Sequence, residues 1–361
     1  MDNITCEFSY DLSPEERKCF DAFVQQCPSG TICQRPCWTE MLRPSRLQRY
    51  AYVRCRLGQQ DIMAGLLRLT RLAPGRYLGT FRRGPVAQQP DDFATVLPAL
   101  QARLRAAGVC TLMMEPHWEE AQAAEIESLL ERHGFQSLSG SDTPMWPTTG
   151  VIDLRPDEES IFKGFRRTCR QDINRGRRDG LIIRAAQNEE DILALAGLYQ
   201  KMAGRRGFET SGQPEPLALW RLLGNTGAVF LVAENQDRVV GGMVSVIEGK
   251  RGHALILASD PDIHGIDRSG PLYWESMRQL KSKGCEYFDV AGMSDPSASQ
   301  WDDKNGNQRD QYKAKFRPRI ITLVPTMVAP LHPLSHYALF GLRQSYRRSR
   351  LPQIIGPLLQ R

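Results

Sequence analysis

Twice along the chain a meander of apolar strands gives way to a helix and a further strand, and a Ser/Thr/Pro-rich connector at 137–149 lies between the two runs. In the first half, residues 49–57 and 62–72 read as successive strands, with Gly58-Gln59-Gln60-Asp61 as their turn. Residues 77–81 form a third strand. Helical spacing runs over 91–107, a short buried strand over 109–114, and a second helix over 119–133. The second half has strands at 151–154 and 181–185, an Arg-rich helix at 158–175, and helices at 189–205 and 217–223. A hairpin of 228–234 and 239–248 follows around Asn235-Gln236-Asp237-Arg238, then a strand at 253–259, a helix at 271–283 and a strand at 286–290. The duplication rests on element order, since no residue-by-residue repeat is visible. At 361 residues the chain exceeds one ordinary compact core. We therefore expect an α/β protein of two domains, 1–145 and 146–330, followed by a basic helical tail at 331–361.

The segment 162–184 carries Arg166, Arg167, Arg170, Arg175, Arg177 and Arg178. Phe162, Phe165 and Ile173 recur at helical spacing, which leaves the guanidinium groups mostly on the opposite arc. Arginine grips phosphate through a planar fork that never loses its charge, so the cluster points to a polyanion such as tRNA. The alternative is a solvated helix face. A net charge of +6 suits an anionic partner without demanding one. No apolar run reaches the ~18 residues of a spanning helix, and the first residues lack the basic and apolar regions of a secretory signal. Nine cysteines are scattered without a second pair at zinc spacing, so free, mostly buried thiols and a cytoplasmic location are expected. None of the six histidines has a carboxylate at triad-like spacing, and no catalytic histidine is expected. P-loop, His-Glu-x-x-His and Gly-x-Ser-x-Gly patterns are missing.

Several separated segments, in order, resemble one family: the Fem-type aminoacyl-tRNA-dependent transferases built from two acetyltransferase-like (GNAT) domains. Gln34 and Trp38 resemble its Gln-x-x-x-Trp element, Tyr77 through Arg83-Gly84-Pro85 its Tyr…Arg-Gly-Pro segment, and Met114-Glu115-Pro116 an acidic strand end. Val151-Ile152-Asp153-Leu154 with the Arg-rich helix, Gly207-Phe208, Phe288-Asp289-Val290-Ala291-Gly292 and Tyr312-Lys313-Ala314-Lys315-Phe316 resemble second-domain motifs. The resemblance covers 34–316 and implies two tandem GNAT-like domains, each a mixed twisted sheet flanked by helices. There are departures. Tyr312 replaces a Phe, Arg317-Pro318 stands where small glycines usually follow, and a phosphate-gripping Lys would fall near Leu42, with Arg43 the nearest cation. The chain resembles the compact branch that lacks a helical arm.

The resemblance implies transfer of an aminoacyl group from charged tRNA to an amine of a small-molecule or peptide acceptor, a cell-wall precursor or a natural-product intermediate. Aminoacyl-tRNA is then a co-substrate, with no cofactor or metal and a monomeric enzyme. Lys313 matches the family Lys that stabilises the oxyanion and the departing ribose oxygen. Asp289 would orient the acceptor amine or take its proton, or else hold the following loop. Tyr312 would stack on the terminal adenine. Arg166, Arg170 and Arg177 would contact tRNA, Arg205 and Arg206 an acceptor phosphate, and Arg83 and Trp38 the substrate in the first domain. Residues 312–316 are expected to be extended. An acyl-coenzyme A transferase of the same fold is the enzyme rival, although Asp267-Arg268-Ser269-Gly270-Pro271 offers a single glycine at the expected pyrophosphate loop. A non-catalytic RNA-binding module is the other rival. The tail, with Arg343, Arg347, Arg348 and Arg350, is expected to pack on the first domain, with an anionic membrane or RNA as the alternative contacts.

Overall fold

The computed structural model describes residues 4–43, 45–138, 146–207, 210, 213–293 and 308–341. The chain runs β1 (Ile4–Ser9), α1 (Pro14–Gln26), α2 (Trp38–Met41), β2 (Gln48–Leu57), β3 (Gln60–Ala73), β4 (Arg76–Phe81), β5 (Val86–Ala87), α3 (Asp91–Ala106), β6 (Val109–Met114), α4 (Glu120–Arg132) and β7 (Gln136–Ser137). It continues through β8 (Thr148–Asp153), α5 (Glu158–Gly164), α6 (Arg167–Arg178), β9 (Ile182–Ala185), α7 (Glu189–Arg206), α8 (Pro216–Gly227), β10 (Ala228–Asn235), β11 (Arg238–Glu248) and β12 (Arg251–Ser259). Last come α9 (Ser269–Ser282), β13 (Tyr287–Gly292), α10 (Gln308–Ala314), β14 (Arg319–Thr322), β15 (Met327–Pro330) and α11 (Pro333–Ser335).

Two compact units result. The first holds the described residues through Thr39, those of Ser45–Pro147 and those from Thr322 onward, and the second holds the described residues of Glu40–Pro44 and Thr148–Ile321. Residues 322–330, grouped with the second domain from sequence, belong to the first unit. There β15 pairs antiparallel with β6, with Met327 opposite Met114, so this short apolar strand completes the first core. The tail beyond Gly341, with Arg343, Arg347, Arg348 and Arg350, lies outside the described residues.

In the first unit the sheet order is β1-β2-β3-β4-β6-β15-β7, with β5 on β3. The β4–β6 pair is parallel, and α3 makes the crossover. Phe93, Val96, Leu97, Leu100 and Leu104 of α3 fall on one stripe and are fully buried, which fixes that helix on the sheet. Neither β1 nor α1 is anticipated by the sequence reading. α1 nevertheless carries a capping box, in which Ser13 accepts from the Glu16 amide and Glu16 accepts from the Ser13 amide. Cys6 and Cys55 are direct partners in the β1–β2 register and form a disulfide. This corrects the expectation that all nine thiols are free: strands far apart in sequence place the two cysteines opposite each other. Cys19, Cys27, Cys110, Cys169 and Cys285 are free thiols, and burial pushes Cys27 and Cys169 up to about 12.

The second unit has the order β14-β8-β13-β12-β11-β10-β9. Its β12–β13 pair is parallel across α9, as β4–β6 is across α3. Gln236 and Asp237 both take positive φ in the β10–β11 turn, the geometry a two-residue hairpin prefers. The Arg-rich region is two helices rather than the single helix expected. The chain breaks at Phe165, whose extended backbone drives its ring into a cluster with Trp274 (5.5 Å) and Phe316 (5.2 Å). Burying that aromatic ring outweighs helical continuity.

Candidate active site

β13 is regular through Asp289 and then bulges. Its register against β8 shifts between Asp289 and Gly292, and Ala291 sits at φ 65°, a left-handed conformation that a non-glycine residue adopts at a cost of about 1 kcal/mol or more. Asp289 holds this turn. Its Oδ1 accepts from the Ala291 amide at 2.7 Å and from Thr149 Oγ1 at 2.5 Å. The Ala291 and Gly292 carbonyls then accept from Lys313 Nζ at 3.3 and 2.9 Å. An ammonium has three N–H groups, and these two bonds leave one for a substrate oxygen.

Lys313 is buried, at 5 % exposure. Burial first, and the Arg309 charge second, bring it down to about 8, against a smaller upward pull from Asp310 and Asp289. At neutral pH it is an ammonium that can both donate to a developing oxyanion and give up a proton.

Residues 312–316 are not extended, as expected from sequence, but close α10 and continue as turns, with Lys315 N donating to Tyr312 O and Phe316 N to Lys313 O. Lys313 and Lys315 consequently diverge. Lys315 Nζ bonds Asp172 at 2.8 Å and lies 5.1 Å from the Tyr312 ring centre. Phe316 anchors this turn in the aromatic cluster, 5.2 Å from the Tyr273 ring.

The Tyr312 hydroxyl donates to Asp267 Oδ2 at 2.8 Å, while Asp267 Oδ1 accepts from the Ser269 amide at 3.0 Å. Burial and the nearby Asp267 carboxylate raise the Tyr312 phenol well above its usual range. Gly270 is required there, because a Cβ would stand 2.8 Å from the Tyr312 hydroxyl. The first amide of α9, that of Ser269, is thus taken by one of the protein's own carboxylates. In the first unit α3 likewise opens with Asp91 and Asp92, and the Asp92 carboxylate accepts from the Gln89 amide at 2.9 Å.

The sequence reading missed His253 as well as Asp267. His253 on β12 is the register partner of Asp289. Its Nε2 stands 2.8 Å from Glu248 Oε2 and its Nδ1 stands 3.6 Å from Asp289 Oδ2. Burial opposes charging the ring, but the two carboxylates prevail and raise it to about 9. Burial likewise opposes Asp289 ionisation. His253, Thr149 and the Ala291 amide outweigh it and hold the carboxyl far below the usual range. Sequence spacing hides this group because Glu248, His253 and Asp289 come from three strands.

Arg166 and Arg177 are exposed, and the Arg166 amide donates to Lys315 O at 2.8 Å, so α6 starts beside the end of α10. Arg170 differs from the reading that grouped it with them. Its Nη1 donates to the Lys163 carbonyl at 2.8 Å and to the Phe165 carbonyl, closing the α5–α6 junction. Arg205 and Arg206 line a cavity of about 230 Å³ together with Asp260, His264 and Arg268. There Arg205 pairs with Asp262 at 2.9 Å, and the buried Asp260 carboxylate is held by Lys201 (2.7 Å) and Arg238 (2.8 Å).

Trp38 and Arg83 lie in the first unit. Trp38 is 2 % exposed, which makes it a core side chain rather than a substrate platform. Gln34 ties the region together, accepting from the Leu66 amide (2.8 Å) and donating to the Arg82 carbonyl (2.6 Å). Gly84 is needed because a Cβ would lie 2.3 Å from the Gln34 side chain. Arg83 faces the buried Glu115, whose carboxyl is raised by burial against the opposing pull of Arg83 and Arg82. Arg43 pairs with Glu215 at 3.5 Å in the second unit.

A family model described as the acetyltransferase (GNAT) domain matches residues 163–313. No curated protein sequence matches the chain. Among solved structures, FemX is similar with a TM-score of 0.71 at 12 % identity, covering 91 % of this chain and 98 % of FemX. L-PGS from Bacillus licheniformis gives 0.59 at 14 % identity, with 95 % and 99 % covered. A tandem GNAT protein from the clavulanic acid biosynthesis pathway gives 0.52 at 11 % identity, with 91 % and 99 % covered. The fold is that of Fem-like tandem GNAT proteins, two mixed sheets each flanked by helices, a fold of acyltransferases. Among the described residues no helix is long and apolar enough to cross a membrane.

Proposed function

We propose that this protein is a cytoplasmic, monomeric aminoacyltransferase that moves an aminoacyl group from aminoacyl-tRNA to an amine of a small-molecule or peptide acceptor. The acceptor amine attacks the ester carbonyl, a C–N bond forms and the C–O bond to the ribose breaks. The amine loses a proton and the ribose oxygen gains one. Lys313 is the catalytic residue. Its third N–H stabilises the oxyanion, and its lowered basicity suits it to protonate the departing ribose oxygen. Asp289 serves by holding the turn that aims Lys313, because its Oδ1 is engaged by Thr149 and Ala291 and its Oδ2 faces His253. The acceptor class follows the resemblance to Fem-type enzymes, a peptidoglycan precursor or a natural-product intermediate.

One observation carries the choice of donor. At the α9 amino terminus, where an acyl-coenzyme A pyrophosphate would meet free backbone amides, the Ser269 amide is bonded by Asp267, which Tyr312 holds in place. A carboxylate there repels a pyrophosphate and satisfies an amide it would need. Product formation is expected to require charged tRNA and to stop after RNase treatment. Turnover of comparable efficiency with acetyl-coenzyme A alone would refute this reading.

Arg166 and Arg177, exposed around the start and end of α6, supply phosphate contacts in this scheme, while Arg205 and Arg206 border the cavity for an anionic acceptor group. Replacing Arg166 and Arg177 together by Ala should make the salt dependence of tRNA binding shallower by roughly one to two units of slope, with an unchanged unfolding midpoint. Arg170→Ala should instead lower stability by about 1.5 kcal/mol or more, since two carbonyls lose a charged donor. Salt titrations and urea unfolding of both variants separate the two roles.

A further inference from the structure

The aim of Lys313 depends on a chain of contacts that leads away from the catalytic surface. Lys313 Nζ is received by the Ala291 and Gly292 carbonyls, the Ala291 amide is held by Asp289, and Asp289 faces His253, which in turn contacts Glu248. A left-handed alanine does not persist without something holding it, and here the Asp289 hydrogen bond does so. A carboxylate at 4 % exposure is costly to ionise; Thr149 and the Ala291 amide hold its charge, and the imidazole 3.6 Å away, flanked by carboxylates on both nitrogens, offsets part of that cost.

We propose that His253 is a positioning residue for Lys313: bracketed by Glu248 and Asp289, its imidazolium keeps the Asp289 carboxylate on the Ala291 amide, and that carboxylate fixes the turn whose carbonyls receive the Lys313 ammonium. His253 touches no substrate in this scheme. It acts through Asp289, and the assignment rests on the reading of Lys313 as catalytic. The charged groups that face His253 are Glu248 from β11 and Asp289 from β13; Asp289 also acts on Tyr273 from α9 and on Lys313 from α10, and Arg309 and Asp310 act on Lys313. With Asp289 ionised, losing the His253 charge leaves Lys313 facing more negative charge in a looser turn. The added negative charge raises the affinity of Lys313 for its proton, while the looser aim of its carbonyls costs rate.

Two readouts on the full-length protein test this. The first needs no substrate: labelling of the Lys313 amine by an amine-reactive anhydride is followed by mass spectrometry across pH. The wild type should titrate near the value of about 8 that its surroundings impose, and His253→Gln should move the midpoint upward by about one unit. The second is steady-state kinetics. His253→Gln should lower kcat about 10- to 100-fold with little change in acceptor KM, the range found when outer partners of a site are removed. A double-mutant cycle completes it: if His253 works through Asp289, adding His253→Gln to Asp289→Asn should cost almost nothing further.

If His253→Gln fails to fold, Glu248→Gln reads the same chain from its far end: with one flanking carboxylate gone, His253 loses its charge at lower pH, and the loss of kcat on the alkaline side should set in at lower pH than in the wild type. An unmoved midpoint together with unchanged kcat, or additive losses in the cycle, overturns the proposal. Failure of the catalytic reading would look different: Lys313→Ala would keep its rate while the labelling midpoint still answered to His253.

Discussion

Lys313→Ala is expected to lower kcat and kcat/KM together by about 10²–10³, the usual cost of removing one oxyanion donor, with substrate binding nearly intact. The loss should fall on rate because the third N–H meets charge that exists only in the transition state. The wild-type profile should also show an alkaline limb. Lys313 is protonated below about 8, so activity that depends on its ammonium should decline as pH rises through that value, and the limb should vanish in Lys313→Ala. Lys313→Arg should restore little, since a bulkier fork has no room at a position 5 % exposed between two carbonyls. Lys315→Ala should be mild, because that ammonium points instead to Asp172. Steady-state kinetics of the three variants across pH checks all of this. A Lys313→Ala enzyme with near-normal kcat would remove the residue from the mechanism.

The second large effect is on stability. Asp289→Ala should cost about 3–5 kcal/mol, because it leaves a buried imidazolium with one carboxylate and strips the Ala291 amide of its acceptor. Asp289→Asn should cost less, since its amide oxygen still accepts from Ala291 while its charge is gone. The pH dependence has a definite sign. Asp289 is depressed in the folded protein, so its contribution is complete above the ordinary carboxylate value of 3.8 and drains away as pH falls below it. His253 is raised, so its contribution is complete below the ordinary value of 6.5 and is lost as pH rises through about 9. Urea midpoints of wild type and Asp289→Asn should therefore begin to draw together as pH falls below 3.8. Parallel curves would show that Asp289 carries no charge-dependent stability.

Much of this architecture was legible in the residue order. Strand and helix periods located β2, β3, β4, α3, β6 and the β10–α9–β13 run, because each buries a regular face and regular burial writes a period into the sequence. The Tyr312-Lys313 motif stood out only through its resemblance to a family, and its local conformation, expected to be extended, closes α10 instead. What failed in the sequence reading was whatever depends on neighbours distant along the chain. One long Arg-rich helix became two when Phe165 found Trp274 and Phe316. Arg170 turned from a phosphate contact into a closing bond on its own junction, and Trp38 from a platform into core. Cys6 met Cys55 across two strands whose register no spacing rule supplies. The sequence by itself determined the two-unit α/β plan and offered a lysine near the carboxyl end of the second unit. Only the tertiary structure decided how that lysine is aimed and what sits behind it. β-register places His253 beside Asp289 and brings Glu248 within 2.8 Å, and a bulge turns the Ala291 and Gly292 carbonyls toward Lys313. Hydrogen-bond partners across a sheet are set by pairing between strands, and pairing leaves no trace in the spacing of any one of them.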